Sequence, residues 1–174
     1  MYLGKERRRK NHILREISSW AAIAAAAVLL AYIVIHFGVQ TTKMLGDSMS
    51  PVIKNEDTLF INKLQYRFGT PKRYDIIVFE IDQSETKHIY VKRIIGMPGE
   101  TVKISEGVVY IDNKELDDAP FTEEIITAGL AGEEIELLED EYFVMGDNVN
   151  NSEDSRSANI GIVNRKSIVG RVKK

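Results

Sequence analysis

The sequence predicts one mostly β domain that follows a single N-terminal transmembrane helix. Two observations lead to this prediction. A stretch near the N-terminus carries no formal charge over the length of a membrane span, and several later runs alternate with the period of two that strands show. Helical repeats after the apolar stretch are too few to cover a parallel α/β sheet, which favours a β domain.

The apolar stretch covers residues 17–37, and a helix of about 20 residues at ~1.5 Å per residue crosses a bilayer. Several Lys and Arg residues precede it, whereas Lys43 is the first basic residue after it. The positive-inside rule therefore predicts a cytoplasmic segment at 1–16, a transmembrane helix at 17–37 and an extracytoplasmic domain at 38–174. A cleavable signal peptide is the alternative, but its apolar region is usually shorter and ends in small residues.

Composition disfavours several classes of function. Residues 38–174 keep 17 of the 23 basic side chains and 24 of the 26 acidic ones, a net charge of −7. Such a surface disfavours nucleic acid, and it disfavours docking to anionic lipid by charge alone. The chain has no cysteine and only three histidines. We therefore expect no disulfide, no thiolate nucleophile, no metal site and no cofactor.

Seven strands are predicted in the outer domain, each from alternation or from bounding turns. They cover Thr58–Asn62, 75–79, 88–95, Thr101–Ser105, Val108–Ile111, 142–145 and 167–172. The fourth and fifth form a hairpin around Glu106 and Gly107. Residues 117–131 indicate a long loop. Residues 133–141 carry six acids, which we interpret as the solvated face of a short element, with a cation-binding or partner-binding role as the alternative.

Two serines lie in a turn about ten residues beyond the apolar stretch, in the sequence GDSMSP at residues 46–51. Ser50 precedes Pro51, which restricts its backbone to the extended region. Ser48 follows Gly46, where the chain can bend sharply and aim the Ser48 hydroxyl and N–H at one site, so that the N–H could bind an oxyanion. Ser48 is the better candidate nucleophile, although the local context is typical of a surface turn.

A nucleophilic serine needs a base, and two candidates lie on one predicted strand. His88 and Lys92 share a face with Tyr90, because side chains alternate along a strand, and four residues separate the two bases, roughly 13 Å. Only one of them can serve Ser48. A lysine at its reference pKa is about 0.04% neutral at pH 7, but burial lowers a lysine pKa by several units. Arg93 points to the opposite face and is expected to remain solvated.

A polar loop follows the strand at 142–145 and covers residues 146–156, with the sequence GDNVNNSEDSR. Its composition is typical of a surface loop rich in turns. The loop could also supply a polar network, with Asp154 and Arg156 as an ion pair and Ser152 as an acceptor that orients an amine. Groups of this kind hold a reactive constellation in place.

Three stretches in this order behind an N-terminal anchor resemble the bacterial type I signal peptidases, and the single anchor resembles the Gram-positive type. They are residues 46–51 with the serine, residues 90–100 (YVKRIIGMPGE) with the lysine, and residues 146–156. The resemblance covers the anchor and nearly all of the outer domain, and the second and third stretches are the specific ones. It implies an antiparallel β-sheet fold of the type that signal peptidases share with self-cleaving repressors.

The resemblance also implies a Ser/Lys dyad, with Ser48 as nucleophile and Lys92 as general base. Some members have a serine two residues before the nucleophile whose hydroxyl helps to form the oxyanion hole. Gly46 occupies that position here, so the second oxyanion donor is left to the backbone or to water.

The implied supporting residues surround the base. Ser152 would hydrogen-bond to Lys92 and orient it, and Tyr90 would help to pack and desolvate it. Asp154 and Arg156 would form a structural salt bridge beneath the site.

The implied activity is removal of signal peptides from exported pre-proteins at the outer face of the plasma membrane. The partners would be these pre-proteins and membrane lipid, without nucleic acid, metal or cofactor, and the substrate would bind extended, with small residues first and third before the cut. Two other hypotheses are a non-catalytic assembly protein on the same scaffold and a self-cleaving regulator. Both dyad residues are present, and a membrane helix stands where a regulator would need a DNA-binding segment.

Overall fold

The computed structural model describes residues 3–83 and 86–173, and the chain divides into two compact units, Met1–Val39 and Gln40–Lys174. The first unit is the helix α1 (Leu3–Gly38). Within it, Arg15–Tyr32 is long and apolar enough to cross a membrane, with a mean hydropathy of 1.2 and no buried residue. The predicted N-terminal apolar helix is thus present, while its membrane boundaries and orientation remain predictions.

The second unit consists of short strands with little helix. The strands are β1 (Val39–Lys43), β2 (Thr58–Asn62), β3 (Ile76–Gln83), β4 (Thr86–Gly96), β5 (Thr101–Ser105), β6 (Val108–Ile111), β7 (Lys114–Glu115), β8 (Ile135–Glu136), β9 (Glu141–Met145), β10 (Val163–Asn164) and β11 (Ile168–Lys173). The remaining elements are a one-turn helix α2 (Gln65–Phe68) and two 3₁₀ turns, Gly129–Gly132 and Arg165–Ser167.

The strands form two sheets. The larger has the order β1-β2-β11-β3-β4-β9-β10, and the smaller has the order β7-β6-β5-β8. Every pairing whose register is defined among the described residues is antiparallel. This architecture confirms the predicted mostly β, antiparallel fold behind an N-terminal helix.

The predicted strands agree with the structure where the alternation is clear. Thr58–Asn62, Thr101–Ser105 and Val108–Ile111 have the predicted bounds, and β5 and β6 form the predicted hairpin. The sequence gives little sign of β1, because Val39–Lys43 is mostly exposed and has no apolar alternation. The acidic stretch contributes the two-residue strand β8, which pairs with β5.

Strands β3 and β4 form the centre of the larger sheet, with eight residues of β3 paired to β4. Apolar clusters cover both faces of this pair, since successive side chains point to opposite sides. Val78 and Val91 pack with one cluster, and Ile77 and Phe79 pack with the other. Burial on both faces fixes the register of β4, and Lys92 lies opposite Ile77 in that register.

The other edge of β4 is only partly paired. Strand β9 pairs with β4 at Arg93, Ile94 and Gly96, with an irregularity before Gly96. Among the described strands, none pairs with residues 87–92 of β4 on this side. The first half of β4 therefore lies at an edge of the larger sheet on this side, and this edge ends at Lys92.

Candidate active site

Packing in the hydrophobic core holds the turn that carries Ser48 in place. Met49 and Ile53 are fully buried in the cluster against β2, β3 and β4, and the Ile53 N–H donates to Met49 O at 2.8 Å. The Ser50 N–H donates to Asp47 O at 3.0 Å and closes the turn. Because Met49 is locked inward, the neighbouring Ser48 is held at the surface of the turn.

The backbone N–H of Ser48 is free to bind a ligand. None of the hydrogen bonds among residues 3–83 and 86–173 uses this N–H as donor. Gly46 has φ +83, a left-handed conformation that favours glycine, and its own N–H donates to Asn55 Oδ1 at 2.9 Å. Gly46 therefore offers neither a side-chain hydroxyl nor a free N–H as a second oxyanion donor.

Lys92 reaches Ser48 from the centre of the sheet. Its Nζ donates to Ser48 Oγ at 2.7 Å, although 44 residues separate the two in sequence. Only 4% of Lys92 is exposed. The structure thus places a buried amine and a surface serine hydroxyl within direct proton-transfer distance.

Burial also changes the charge state of Lys92. Loss of hydration lowers the pKa of its amine from 10.5 to about 8, because the charged form is disfavoured in a dry site. The carboxylates of Asp154, Glu153 and Asp147 act in the opposite direction, and the Arg156 guanidinium assists the lowering. Desolvation is the largest of these effects. At pH 7 a pKa of about 8 leaves about 10% of the amine neutral, compared with about 0.03% at 10.5.

The polar loop contains a buried ion pair beneath the site. Arg156 Nε and Nη2 donate to the two carboxylate oxygens of Asp154, both at 2.8 Å, in a bidentate arrangement. Arg156 also donates to Thr127 O and Val149 O, so its guanidinium is bound on several sides. The structure brings the two residues together as the sequence predicts; their supporting role remains a prediction.

The same loop contacts the turn of Ser48 through its backbone. Asp154 Oδ2 accepts from the Gly146 N–H at 3.0 Å. The Asn148 N–H donates to Ser48 O at 3.0 Å, and Asn148 Nδ2 donates to Asp47 O at 3.2 Å. Sequence reasoning missed the role of Asn148, because the GDN turn indicates a loop but not its distant partner.

Ser152 lies beside the dyad but is not bonded to Lys92 in this structure. Its Oγ is buried and has no hydrogen-bond partner among the described residues. It packs against Gly146, where a Cβ would overlap both Ser152 Oγ and Ser48 O. A buried hydroxyl without a partner is uncommon. Orientation of Lys92 by Ser152 stays a prediction.

The two remaining predicted residues of β4 lie farther along the strand. Tyr90 stacks on Phe79 with ring centroids 5.7 Å apart and lines the same groove as Ser48 and Lys92. His88 is exposed, four residues from Lys92. The base in contact with Ser48 is therefore the lysine.

The prediction that Arg93 remains solvated was wrong. Arg93 Nε and Nη2 donate to the two oxygens of Asp147, both at 2.6 Å, and the side chains are 12% and 1% exposed. Arg93 also donates to Tyr74 O at 2.9 Å. The outward face of β4 is covered here by the start of the polar loop, which alternation along one strand does not reveal.

A groove of about 530 Å³ opens at the dyad. Its walls are residues 42–45 on one side and 87–92 on the other, with Ser48 and Glu153 at one end. Within the described ranges, no group of three or more His, Cys, Asp or Glu side chains could hold a metal ion. The chemistry available in the groove is that of a serine, an amine and a free backbone N–H.

Comparisons with known proteins point to one family of peptidases. The family model described as signal peptidase, peptidase S26, matches residues 17–174. Signal peptidase I P of Bacillus subtilis subsp. natto is 35% identical over 173 residues, covering 95% of this chain and 90% of that protein. Signal peptidase I T of Bacillus subtilis (strain 168) is 35% identical over 158 residues, covering 87% and 80%. A crystal structure of a signal peptidase I from Enterococcus faecalis V583 is 30% identical, with a TM-score of 0.49 over 60% of this chain and 97% of that one.

The chain therefore belongs to the signal peptidase family, peptidase S26. It is an enzyme, a serine peptidase, and the resemblance to bacterial type I signal peptidases that its sequence indicates is confirmed.

Gly146→Ala is expected to destabilise the folded protein by about 1–3 kcal/mol, because the added Cβ would overlap Ser152 Oγ and Ser48 O. The φ of Gly146 lies outside the left-handed region, so the cost is steric rather than conformational. Thermal unfolding of the full chain in detergent measures it. Gly132→Ala is the matched control, since its Cβ would meet only Ala128 at 3.7 Å. Equal melting temperatures for the two variants would contradict the steric account.

Lys92→Met is expected to stabilise the folded protein by up to about 3 kcal/mol at pH 7, because the charged amine is disfavoured in the buried site. Each unit by which burial lowers the pKa of the amine corresponds to about 1.36 kcal/mol. The lysine pKa is lowered on folding, from 10.5 to about 8. The free-energy cost of burying Lys92 is therefore largest below about pH 8. It declines towards zero as the pH rises past about 10.5, where the amine becomes neutral in both the folded and the unfolded state. The difference in stability between variant and wild type, followed by chemical denaturation from pH 7 to 10.5, should shrink. A difference independent of pH would show that Lys92 is not desolvated.

Proposed function

We propose that the protein is a membrane-anchored serine endopeptidase that removes N-terminal signal peptides from exported pre-proteins, with Ser48 and Lys92 as its catalytic dyad. The observation that carries the proposal is the 2.7 Å contact between Lys92 Nζ and Ser48 Oγ, in a chain that belongs to the signal peptidase family. The lowered pKa of Lys92 supports its role as a base near neutral pH. A non-catalytic scaffold would have no need to bury an amine against a serine.

The reaction is acyl transfer in two steps. Neutral Lys92 Nζ takes the proton of Ser48 Oγ, and the oxygen attacks the scissile carbonyl carbon. The resulting oxyanion is bound by the free Ser48 N–H. Collapse of the intermediate breaks the C–N bond, and protonated Lys92 gives its proton to the leaving amine. Water then attacks the ester, Lys92 takes a proton from this water and returns one to Ser48 Oγ, and the signal peptide leaves with a carboxyl end.

The substrate is proposed to bind extended in the groove, along the edge of β4. Among the described strands, β9 pairs with β4 from Arg93 onward, and a strand added beside the first half of β4 would gain main-chain hydrogen bonds. Small residues first and third before the cut would let an extended chain lie close to Ser48 and Lys92. The groove thus supports a substrate recognised by backbone shape more than by side chains.

Anchoring is proposed to follow the charge pattern of the N-terminus, with the cytoplasmic side before residue 17 and the catalytic domain outside the plasma membrane. Ten residues separate the end of α1 at Gly38 from Ser48, a reach of at most about 35 Å. A signal peptide leaving the membrane would therefore meet the nucleophile close to the bilayer.

Ser48→Ala and Lys92→Ala are each expected to reduce cleavage of a purified pre-protein by about a thousandfold or more, because one removes the nucleophile and the other its base. His88→Ala is the control and should stay within about threefold of wild type, since His88 lies four residues away from the dyad along β4. Cleavage is followed by gel, with the new N-terminus sequenced. Full activity of folded Lys92→Ala would exclude the dyad, and loss of activity in His88→Ala would favour a histidine base.

The pH profile is expected to rise with pH and level off above about 8, because Lys92 must be neutral to act as base and the pKa of its amine is about 8. Glu153→Gln should move the midpoint to lower pH, since the Glu153 carboxylate raises this pKa. The measurement is kcat/KM from pH 6 to 10 with one pre-protein. Glu115→Gln, on β7 of the smaller sheet, is the control and should leave the midpoint in place. A midpoint above 10, or one that moves equally in both variants, would contradict a desolvated Lys92.

A further inference from the structure

The two walls of the groove approach the dyad in the same chain direction. Residues 42–45 lead into the turn of Ser48, and residues 87–91 lead into Lys92. The C-terminal end of each wall therefore lies at the dyad, and the N-terminal end of each wall lies at the far end of the groove. The groove extends from the dyad to one side only.

A basic side chain stands at the far end of each wall. Lys43 is the last residue of β1, and Lys87 is near the start of β4, both on the lining of the groove. Five residues separate Lys87 from Lys92, which is roughly 16 Å along a strand. Five residues also separate Lys43 from Ser48, so the chain between them reaches at most about 17 Å. The backbones of both lysines thus lie within about 17 Å of the dyad.

The charges along the groove differ from those of the whole domain. The dyad end has the acid Glu153, and the far end has the two lysines together with the exposed His88. Lys87 is 3.3 Å from Glu80, with both side chains in contact with solvent, whereas Lys43 has no acidic partner among the described residues. Lys87 also lies opposite Asp82 in the register of β3 and β4, so Lys43 contributes the cation that is not offset by a neighbouring acid among the described residues.

We infer that Lys43 and Lys87 form a subsite for a carboxylate side chain on the fifth or sixth residue before the cut, and that they disfavour a basic residue there. The inference rests on the proposed function. Since the groove lies on one side of the dyad, it can hold only one half of the substrate, and the half before the cut is the one whose sequence the enzyme must recognise. In an extended chain, five residues cover roughly 16 Å, which matches the distance of the lysines.

The subsite acts on selection between pre-proteins and leaves the chemistry unchanged. An acidic side chain between the lysines gains from both charges, and a lysine in its place is repelled by both. Because the site is exposed, each pair is worth little, and we expect about a three- to tenfold preference for Asp over Lys. Salt should weaken this preference, since exposed charges are screened over about 10 Å at 0.1 M ionic strength.

The test uses the full-length enzyme in detergent and three pre-proteins that differ only at the fifth residue before the cut, which is Asp, Asn or Lys, with alanine kept first and third. The readout is the ratio of kcat/KM for the Asp substrate to that for the Lys substrate. Wild type should prefer Asp, and the Lys43→Glu/Lys87→Glu double variant should reverse the order. Glu80→Gln should raise the ratio above that of wild type, because it releases Lys87 from its ion pair with Glu80.

Lys114→Glu, on β7 of the smaller sheet, is the matched control and should give the wild-type ratio. A purely structural role of the two lysines would change all three substrates alike and leave the ratio constant. Equal ratios in wild type and double variant would overturn the subsite while leaving the peptidase function intact. Failure of wild type to cleave any of the three would overturn the proposed function and the subsite together.

Discussion

Lys92 places an amine in a site almost closed to water, and the rest of the domain supports that placement. A charged amine loses most of its hydration there, so the neutral form becomes more populated near neutral pH. The position is reached because β4 is packed on both faces and cannot shift its register. Ser48 arrives from a separate turn that Met49 anchors in the same core. The packing around Lys92 thus lowers the pKa of a lysine that lies in a strand.

The carboxylates near Lys92 would keep it protonated if their charge were not offset. Asp154 is bonded to Arg156 through both oxygens, and Asp147 is bonded to Arg93 in the same way. Each pair is buried, and loss of one partner would leave an uncompensated charge in a dry region. Arg156 therefore acts on the pKa of the amine as well as on the position of the polar loop, and Arg93 offsets the charge of Asp147. Stability and reactivity are coupled through these pairs.

Alternation of apolar residues was sufficient to predict the strands that have one buried face, such as Thr58–Asn62 and Val108–Ile111. It could not predict β1 or β8, whose pairing depends on neighbours from distant parts of the chain. Ser48 and Lys92 could be proposed from their motifs, and the loop ion pair of Asp154 from its composition. The bonds of Asn148 and the burial of Arg93 could not, because both depend on where the polar loop lies against the turn and the strand.

The partly paired strand β4 has a consequence for how copies of the enzyme interact with one another. A free strand edge is a template for any extended chain, including the same edge of a second copy. The proposed membrane anchor would bring such edges together far more often than free diffusion does. Lys43 and Lys87 on the two walls give identical copies like charges at this edge, which disfavours edge-to-edge association. The same two lysines can thus keep the groove accessible to substrate chains and disfavour association between copies of the enzyme.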